Sequence, residues 1–409
     1  MTASEQLAQF AAGSKALPKL CREYKKERAT VHLKELVGGA LSFYAAAAVA
    51  KTGGVHIFVA EDRDAAAYLL NDFYNLLDEK QVYFFPSSYK RSAAYGAEDA
   101  QGVVQRTAAM NAVRGFTKGY LVVCTYPEAL AERVVDAATL QRDTIAVKLG
   151  DKISIAVLED ALADANFTRV DFVYEPGQYS VRGGIVDVFS YSESKPYRID
   201  FFGDEVDSIR RFNISSQLSA DKLDRVEIIP NLNAGEAPRV SFVQFAGSSA
   251  ACWFYDADYV LRRVNDLRRK VLADMENPGQ IDRLLTSRNV LLRDMAGNSV
   301  VALRDNLPER PATAAVVFDT APQPKFNKNF EMLADDMIRN SLRGYATYIL
   351  SENKVQVERL ENIFHQIGRG QAAVRSLSVT LHEGFVDNDL KLCLYTDHQI
   401  FDRYQRYRI

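Results

Sequence analysis

The chain has 409 residues, 47% hydrophobic and 25% charged, an ordinary globular composition that excludes a disordered or fibrous protein and leaves room for several cores. Its net charge of -3 lacks the surplus of Lys and Arg with which domains grip phosphates, so strong intrinsic DNA binding is not expected. The longest largely apolar run, Ala40 to Ala50, is about half of the roughly 20 residues a bilayer span needs, and the start Met1-Thr2-Ala3-Ser4 has no charged-then-apolar leader. A soluble, cytoplasmic protein with no membrane contact is expected.

From the start, short apolar runs alternate with longer helical patterns. Thr30 to Leu36, Val55 to Ala60, Val82 to Pro86 and Tyr120 to Thr125 read as strands; Ala40 to Ala50, Asp62 to Glu79 and Asp99 to Arg114 read as helices. That rhythm predicts an α/β fold with a parallel sheet covered on both faces. After a helix near Val157 to Ala165, strands follow one another directly: Arg169 to Val173, Tyr179 to Ser190, Tyr197 to Phe202 and Glu205 to Phe212. Phe202-Gly-Asp-Glu205 reads as a hairpin turn, because Gly and Asp tolerate positive backbone angles. A small antiparallel domain is thus spliced into the α/β unit. The strand Arg225 to Pro230, the strand Ala251 to Tyr255 and the polar helix Asp258 to Met275 are expected to complete the first unit. Prolines 308, 311, 322 and 324 mark an irregular stretch from Leu307 to Lys325. Beyond it, strands at Val316 to Asp319, Thr347 to Leu350 and Leu390 to Tyr395 alternate with helices at Asn329 to Arg343 and Lys354 to Ile367, a second small α/β domain. The expected organisation is a first domain at 1–126 and 213–313, an inserted domain at 127–212, and an α/β domain at 314–409.

Cys21, Cys124, Cys252 and Cys393 stand more than a hundred residues apart, with no C-x-x-C pair and no histidine at a ligand spacing. They read as reduced, buried thiols, and no metal site or nucleophilic triad is expected. The basic stretches Lys19 to Arg28 and Arg262 to Lys270 read as solvated helix faces.

Two segments are more specific. The first is Glu175-Pro-Gly-Gln-Tyr-Ser-Val-Arg-Gly-Gly-Ile-Val-Asp-Val-Phe189, followed by Tyr197-Arg-Ile-Asp-Phe-Phe-Gly-Asp-Glu-Val-Asp-Ser-Ile-Arg-Arg-Phe212. It resembles signatures shared by UvrB and the bacterial transcription-repair coupling factors, where they belong to the domain that binds UvrA. The second is Leu36-Val-Gly-Gly-Ala-Leu-Ser-Phe43, between a strand and a helix, where a phosphate loop belongs. A working loop reads G-x-x-x-x-G-K-[ST]: amides cradle the phosphates, the lysine reaches the outer ones and the hydroxyl holds magnesium. Here Glu35 takes the place of the first glycine, Ala40 the last and Leu41 the lysine, so only Ser42 of the motif remains in a degenerate loop of Gly38, Gly39, Ala40, Leu41 and Ser42.

The resemblance to the coupling factors implies a degenerate helicase-like (RecA-like) sheet at 1–126 and 213–313, carrying an inserted UvrA-binding domain. In Phe254-Tyr-Asp-Ala-Asp-Tyr259 it sets Asp256 at a magnesium-holding position and Ala257 where a water-positioning glutamate would stand; a plain helix N-terminus at Asp256 or Asp258 explains the same residues equally well. UvrB carries a long aromatic hairpin where this chain has only Pro86 to Glu98, so Tyr89 and Tyr95 read as surface aromatics. The expected UvrA-binding residues are Arg169, Tyr179, Arg182 and Phe189. On a regular strand Arg182 would share a face with Val186, but Gly183 and Gly184 permit a bulge or turn. The implied role is a non-catalytic module that recruits UvrA to stalled RNA polymerase. RNA polymerase and DNA would be engaged by the rest of a longer protein, on whose translocase this module packs. No cofactor is expected for this chain, ATP and magnesium belonging to that translocase. The rival reading is a UvrB-like ATPase with an unusual phosphate loop.

Overall fold

The structure, a computed structural model, describes residues 1–89 and 98–409. Among the described residues seven strands form one sheet, in the order Ala314–Val317, Thr30–Lys34, Val300–Ala302, Ala251–Phe254, Gly54–Val59, Tyr120–Thr125 and Val82–Phe84. Every neighbouring pair is parallel. Parallel strands need crossovers, and helical crossovers cover both faces, which is why these strands are continuous apolar runs. Val31, Ile57, Val122, Val123 and Cys252 are completely buried. The helix Ala40–Thr52 is apolar on all sides because it lies between this sheet and the helices Ala3–Ala12 and Ala16–Tyr24. At the centre the Trp253 indole N–H donates to His56 Nδ1 at 3.1 Å, while His56 Nε2 donates to the Gly53 carbonyl at 2.8 Å. Burial lowers the His56 pKa to about 4, so the ring is neutral.

The inserted unit leaves and re-enters through a neck in which Val134–Val135 pairs with Arg239–Val240. It holds a six-stranded sheet, ordered Ser219–Leu223, Glu205–Phe212, Tyr197–Phe202, Ile185–Val188, Gln178–Arg182, Thr168–Arg169. Its inner face packs on the helix Ile155–Asp164 through Leu158 and Leu162. Two expectations are corrected here. The strand Arg225–Ile228, assigned above to the resumed first domain, pairs antiparallel with Ile145–Lys148 inside the inserted unit, and its Val226 and Ile228 join that core. The run Tyr179 to Ser190 is not one strand but two, joined at Gly183-Gly184 with Arg182 opposite Ile185. Gly183 has φ +59°, which a two-residue hairpin turn requires.

The third unit has a mixed five-stranded sheet, ordered Thr320–Pro322, Phe385–Asp387, Leu392–Thr396, Ala346–Leu350, Ser376–Leu377, with helices Phe330–Leu342 and Lys354–Gln366 around a core that includes Phe326, Leu360, Phe364 and Tyr395. A further correction falls at its boundary: the first strand, expected at Val316 to Asp319, is Ala314–Val317 and lies in the large sheet beside Thr30–Lys34. Chain tail and first unit are tied together: Tyr68 donates to the Gln405 carbonyl at 2.7 Å, and the backbone N–H of Arg408 donates to Asn71 Oδ1 at 3.1 Å. No helix among the described residues is long and apolar enough to cross a membrane.

Candidate docking face and phosphate-loop position

Residues directly opposite each other in an antiparallel pair share a face, so the register sorts the inserted sheet. Tyr179, Val181, Val186, Val188, Tyr197, Ile199 and Ile209 point to the core side. Ser180, Arg182, Ile185, Asp187, Arg198 and Asp200 lie on the other side. Asp187 is buried there and accepts from Arg198 Nε at 2.8 Å and Nη2 at 2.9 Å, a bidentate pair. That bond raises the Arg198 pKa further, and its guanidinium also lies 4.1 Å from the Phe212 ring centroid. Arg182 donates to the same carboxylate at 3.2 Å and sits 4.8 Å from the ring centroid of Phe172. Its side chain remains 45% exposed. Arg182 is therefore oriented from behind by an acid that Arg198 already neutralises, and from the side by an aromatic ring, with other guanidinium donors left for a partner.

Arg169 lies on the outermost strand of the sheet, beside Tyr179, with its guanidinium 2.5 Å from Glu159 Oε1 and its side chain 57% exposed. Tyr179 and Phe189 are corrected as surface residues: each is only 4% exposed, because strand alternation turns Tyr179 onto the inner core and Phe189 is likewise enclosed. They support the face without forming it. The exposed aromatics are others, Phe172 at 65%, Tyr174 and Phe202. Phe202 follows Phe201, whose N–H donates to the Gly184 carbonyl beside the hairpin turn. The Phe-x-Tyr spacing of residues 172 and 174 was the sequence signal for them, but alternation alone does not say which face is wet.

The segment Leu36 to Phe43, expected above as a degenerate phosphate loop, follows the strand Thr30–Lys34 and opens the helix at Ala40. The Ser42 hydroxyl is engaged within the protein: it donates to Asp72 Oδ2 at 2.7 Å, and Asp72 Oδ1 accepts the backbone N–H of His382 at 2.8 Å. Burial pushes the Asp72 pKa up to about 7. Backbone from the third unit lies across the two glycines. A Cβ on Gly39 would stand 2.0 Å from the Glu383 carbonyl oxygen, and one on Gly38 2.9 Å from that of Gly384. Thr320 clamps the loop's other side, accepting from Val37 N–H at 3.0 Å and donating to the Glu35 carbonyl at 2.7 Å. Beyond Leu41, a cavity of about 410 Å³ remains at the carboxyl ends of the strands, lined by Leu36, Phe58, Trp253, Tyr255 and Leu303 with the acids Glu61 and Glu383.

Asp256 is the N-cap of the helix Ala257–Asp274, accepting from Tyr259 N–H at 3.0 Å and from Asn306 at 2.9 Å. The bond from Tyr259 is the one a helix N-terminus at Asp256 provides. Among the described residues no group of three or more His, Cys, Asp or Glu could hold a metal, and all four cysteines are free and buried. Tyr89, expected on the surface, is half-buried and forms a bridge to Glu98, while Tyr95 lies outside the described residues.

Residues 145–233, which span the inserted unit and its paired outer strands, match the UvrB interaction domain family. The chain is thus a protein that carries a UvrB interaction domain beside a large parallel α/β sheet. It is 27% identical over 199 residues to the transcription-repair-coupling factors of Bacillus subtilis (strain 168) and Escherichia coli (strain K12), a stretch covering 48% of this chain and 17% of each relative. It is 35% identical over 101 residues to that of Haemophilus influenzae, covering 25% of this chain and 9% of the relative. It is similar to the amino-terminal module of the transcription-repair coupling factors.

Proposed function

We propose that this chain is a non-catalytic docking module that recruits UvrA. In this reading the inserted unit presents the docking face, and the parallel sheet is a RecA-like fold whose nucleotide site has been lost. The observation that carries the first part is Arg182, half-exposed and held by Asp187 and Phe172, since a pre-oriented guanidinium loses little freedom when a partner's carboxylate takes its remaining donors. Arg169 is exposed as well, at the outer edge of the sheet on the side of the helix Ile155–Asp164, and the match of residues 145–233 to the UvrB interaction domain points to UvrA as the occupant.

The second part is supported by the loop itself. Leu41 replaces the cation that a triphosphate needs, and the Glu383-Gly384 backbone packs closely against Gly38 and Gly39. No nucleotide cofactor is therefore assigned to this chain; ATP and magnesium would serve the translocase part of a longer protein, which would also engage RNA polymerase and DNA and against which this module would pack. Titration of purified UvrA onto the immobilised chain tests the reading. Saturable binding that Arg182→Ala weakens supports it, and a folded chain that fails to bind UvrA overturns it.

A further inference from the structure

The basic stretch ending at Arg28 has a setting that the docking role does not use. Lys25, Lys26 and Arg28 line an open cleft of about 600 Å³ together with Gly53, Gly54, Ser248, Ser249, Gly297 and Ser299. These segments run directly into four consecutive strands of the large sheet, Thr30–Lys34, Val300–Ala302, Ala251–Phe254 and Gly54–Val59. The cleft thus sits at their amino ends, on the opposite edge from the degenerate phosphate loop.

Its two walls are chemically distinct. On one wall three cations face a single lining acid, Glu27, a local surplus of positive charge in a chain of net charge -3. Lys26 is also paired with Glu23 at 2.9 Å, which leaves Lys25 and Arg28 as cations in no salt bridge among the described residues. The backbone of this wall is pinned: the Ser299 hydroxyl donates to the Lys26 carbonyl at 2.9 Å, and Arg310 donates to that of Arg28, which has φ +55°. On the other wall the N–H groups and hydroxyls of Ser248 and Ser249 donate to no acceptor among the described residues. Small residues keep the floor open, since a Cβ on Gly54 would meet nothing within 4 Å.

We propose that this cleft binds phosphate groups, with Lys25 and Arg28 supplying charge and Ser248 and Ser249 supplying neutral donors. Exposed cations beside small residues bearing free N–H and O–H groups suit a tetrahedral polyanion. The phosphates can belong to a free polyphosphate or to a nucleic-acid backbone, and one experiment separates the two. Inorganic tripolyphosphate is titrated calorimetrically and a labelled single-stranded oligonucleotide by anisotropy, each at several salt concentrations, with the parent, Lys25→Glu/Arg28→Glu and Glu27→Gln.

At least one probe should saturate, the double variant should weaken it by about tenfold or more and lower the salt slope by about 1.4 for a single strand, and Glu27→Gln should tighten it. A strand that binds and is not displaced by tripolyphosphate identifies a nucleic-acid backbone; tripolyphosphate binding that the strand does not compete identifies a free polyphosphate. If neither probe saturates at low salt, or if the folded double variant binds like the parent, the cleft is not a phosphate site. Circular dichroism and melting check the fold, and Lys25→Gln/Arg28→Gln replaces the double variant if charge reversal unfolds it.

Discussion

Asp187 and Arg198 form a bidentate pair across adjacent strands of the inserted sheet, at 2.8 and 2.9 Å, and this pair is the base on which Arg182 rests at 3.2 Å. The two arginines share one carboxylate but differ in role. Arg198 is mostly enclosed beside Phe212 and compensates a buried charge, whereas Arg182 is half in water.

Arg182→Ala should therefore leave the fold intact, an exposed ion pair being worth about 0–1 kcal/mol, yet weaken UvrA binding by about 2 kcal/mol or more. Arg169→Ala should cost about 1–2 kcal/mol of binding. Arg198→Ala should instead destabilise the inserted unit by roughly 3 kcal/mol, because it leaves the buried Asp187 with only the longer contact to the half-exposed Arg182. Denaturant unfolding alongside UvrA titration separates the two effects. Parent-like binding by both folded Arg182→Ala and Arg169→Ala would place the docking face elsewhere.

No ATP binding is expected at millimolar concentrations. Introducing Ala40→Gly and Leu41→Lys together should not restore it, because the Glu383-Gly384 backbone still covers Gly38 and Gly39 and Asp72 still holds the Ser42 hydroxyl. A micromolar, magnesium-dependent signal in isothermal titration, from the parent or the double variant, would overturn this.

Gly39 has an ordinary φ of -67°, so alanine suits its backbone and only space opposes it. With a Cβ 2.0 Å from the Glu383 carbonyl, Gly39→Ala should destabilise the contact between the first and third units by about 1–3 kcal/mol. Chemical unfolding, with limited proteolysis to register separation of the third unit, measures it; an unchanged midpoint and digestion pattern would show that the contact is dispensable.

Asp72 gives a pH dependence with a definite sign. Its folded pKa is raised by burial to about 7 from an ordinary 3.8, so the folded state holds the proton more tightly than the unfolded chain. The associated stability is complete below about pH 4, declines as pH rises from there to about 7, and is absent above. Asp72→Asn, which carries no charge at any pH, should remove this slope. Melting temperatures of parent and variant should diverge in favour of the variant between pH 5 and 8; parallel curves would mean that Asp72 is not titrating in the folded protein.

Much of the architecture was legible from local pattern. Apolar runs such as Val55 to Ala60 and Tyr120 to Thr125, separated by helical stretches, announced a parallel sheet because both faces of such strands must be apolar. The changed rhythm after Val157 announced the inserted antiparallel unit, and the motif around Arg182 carried its family. That Glu35, Ala40 and Leu41 depart from a working phosphate loop was also visible, since a cation or a glycine is either present in the sequence or not.

Tertiary structure alone decided the partners. Arg225–Ile228 and Ala314–Val317 are short strands whose local pattern suits either sheet, and only long-range packing assigns one to the inserted unit and the other to the edge beside Thr30. It likewise put Tyr179 and Phe189 inside and left Phe172 and Tyr174 in solvent, although all four are aromatic residues of one stretch. The cover over Gly38 and Gly39 is a contact across more than three hundred residues of chain. Hydrophobic periodicity records which side of an element is dry, but the identity of what dries it depends on pairing and packing between distant segments, where many short apolar runs are locally equivalent.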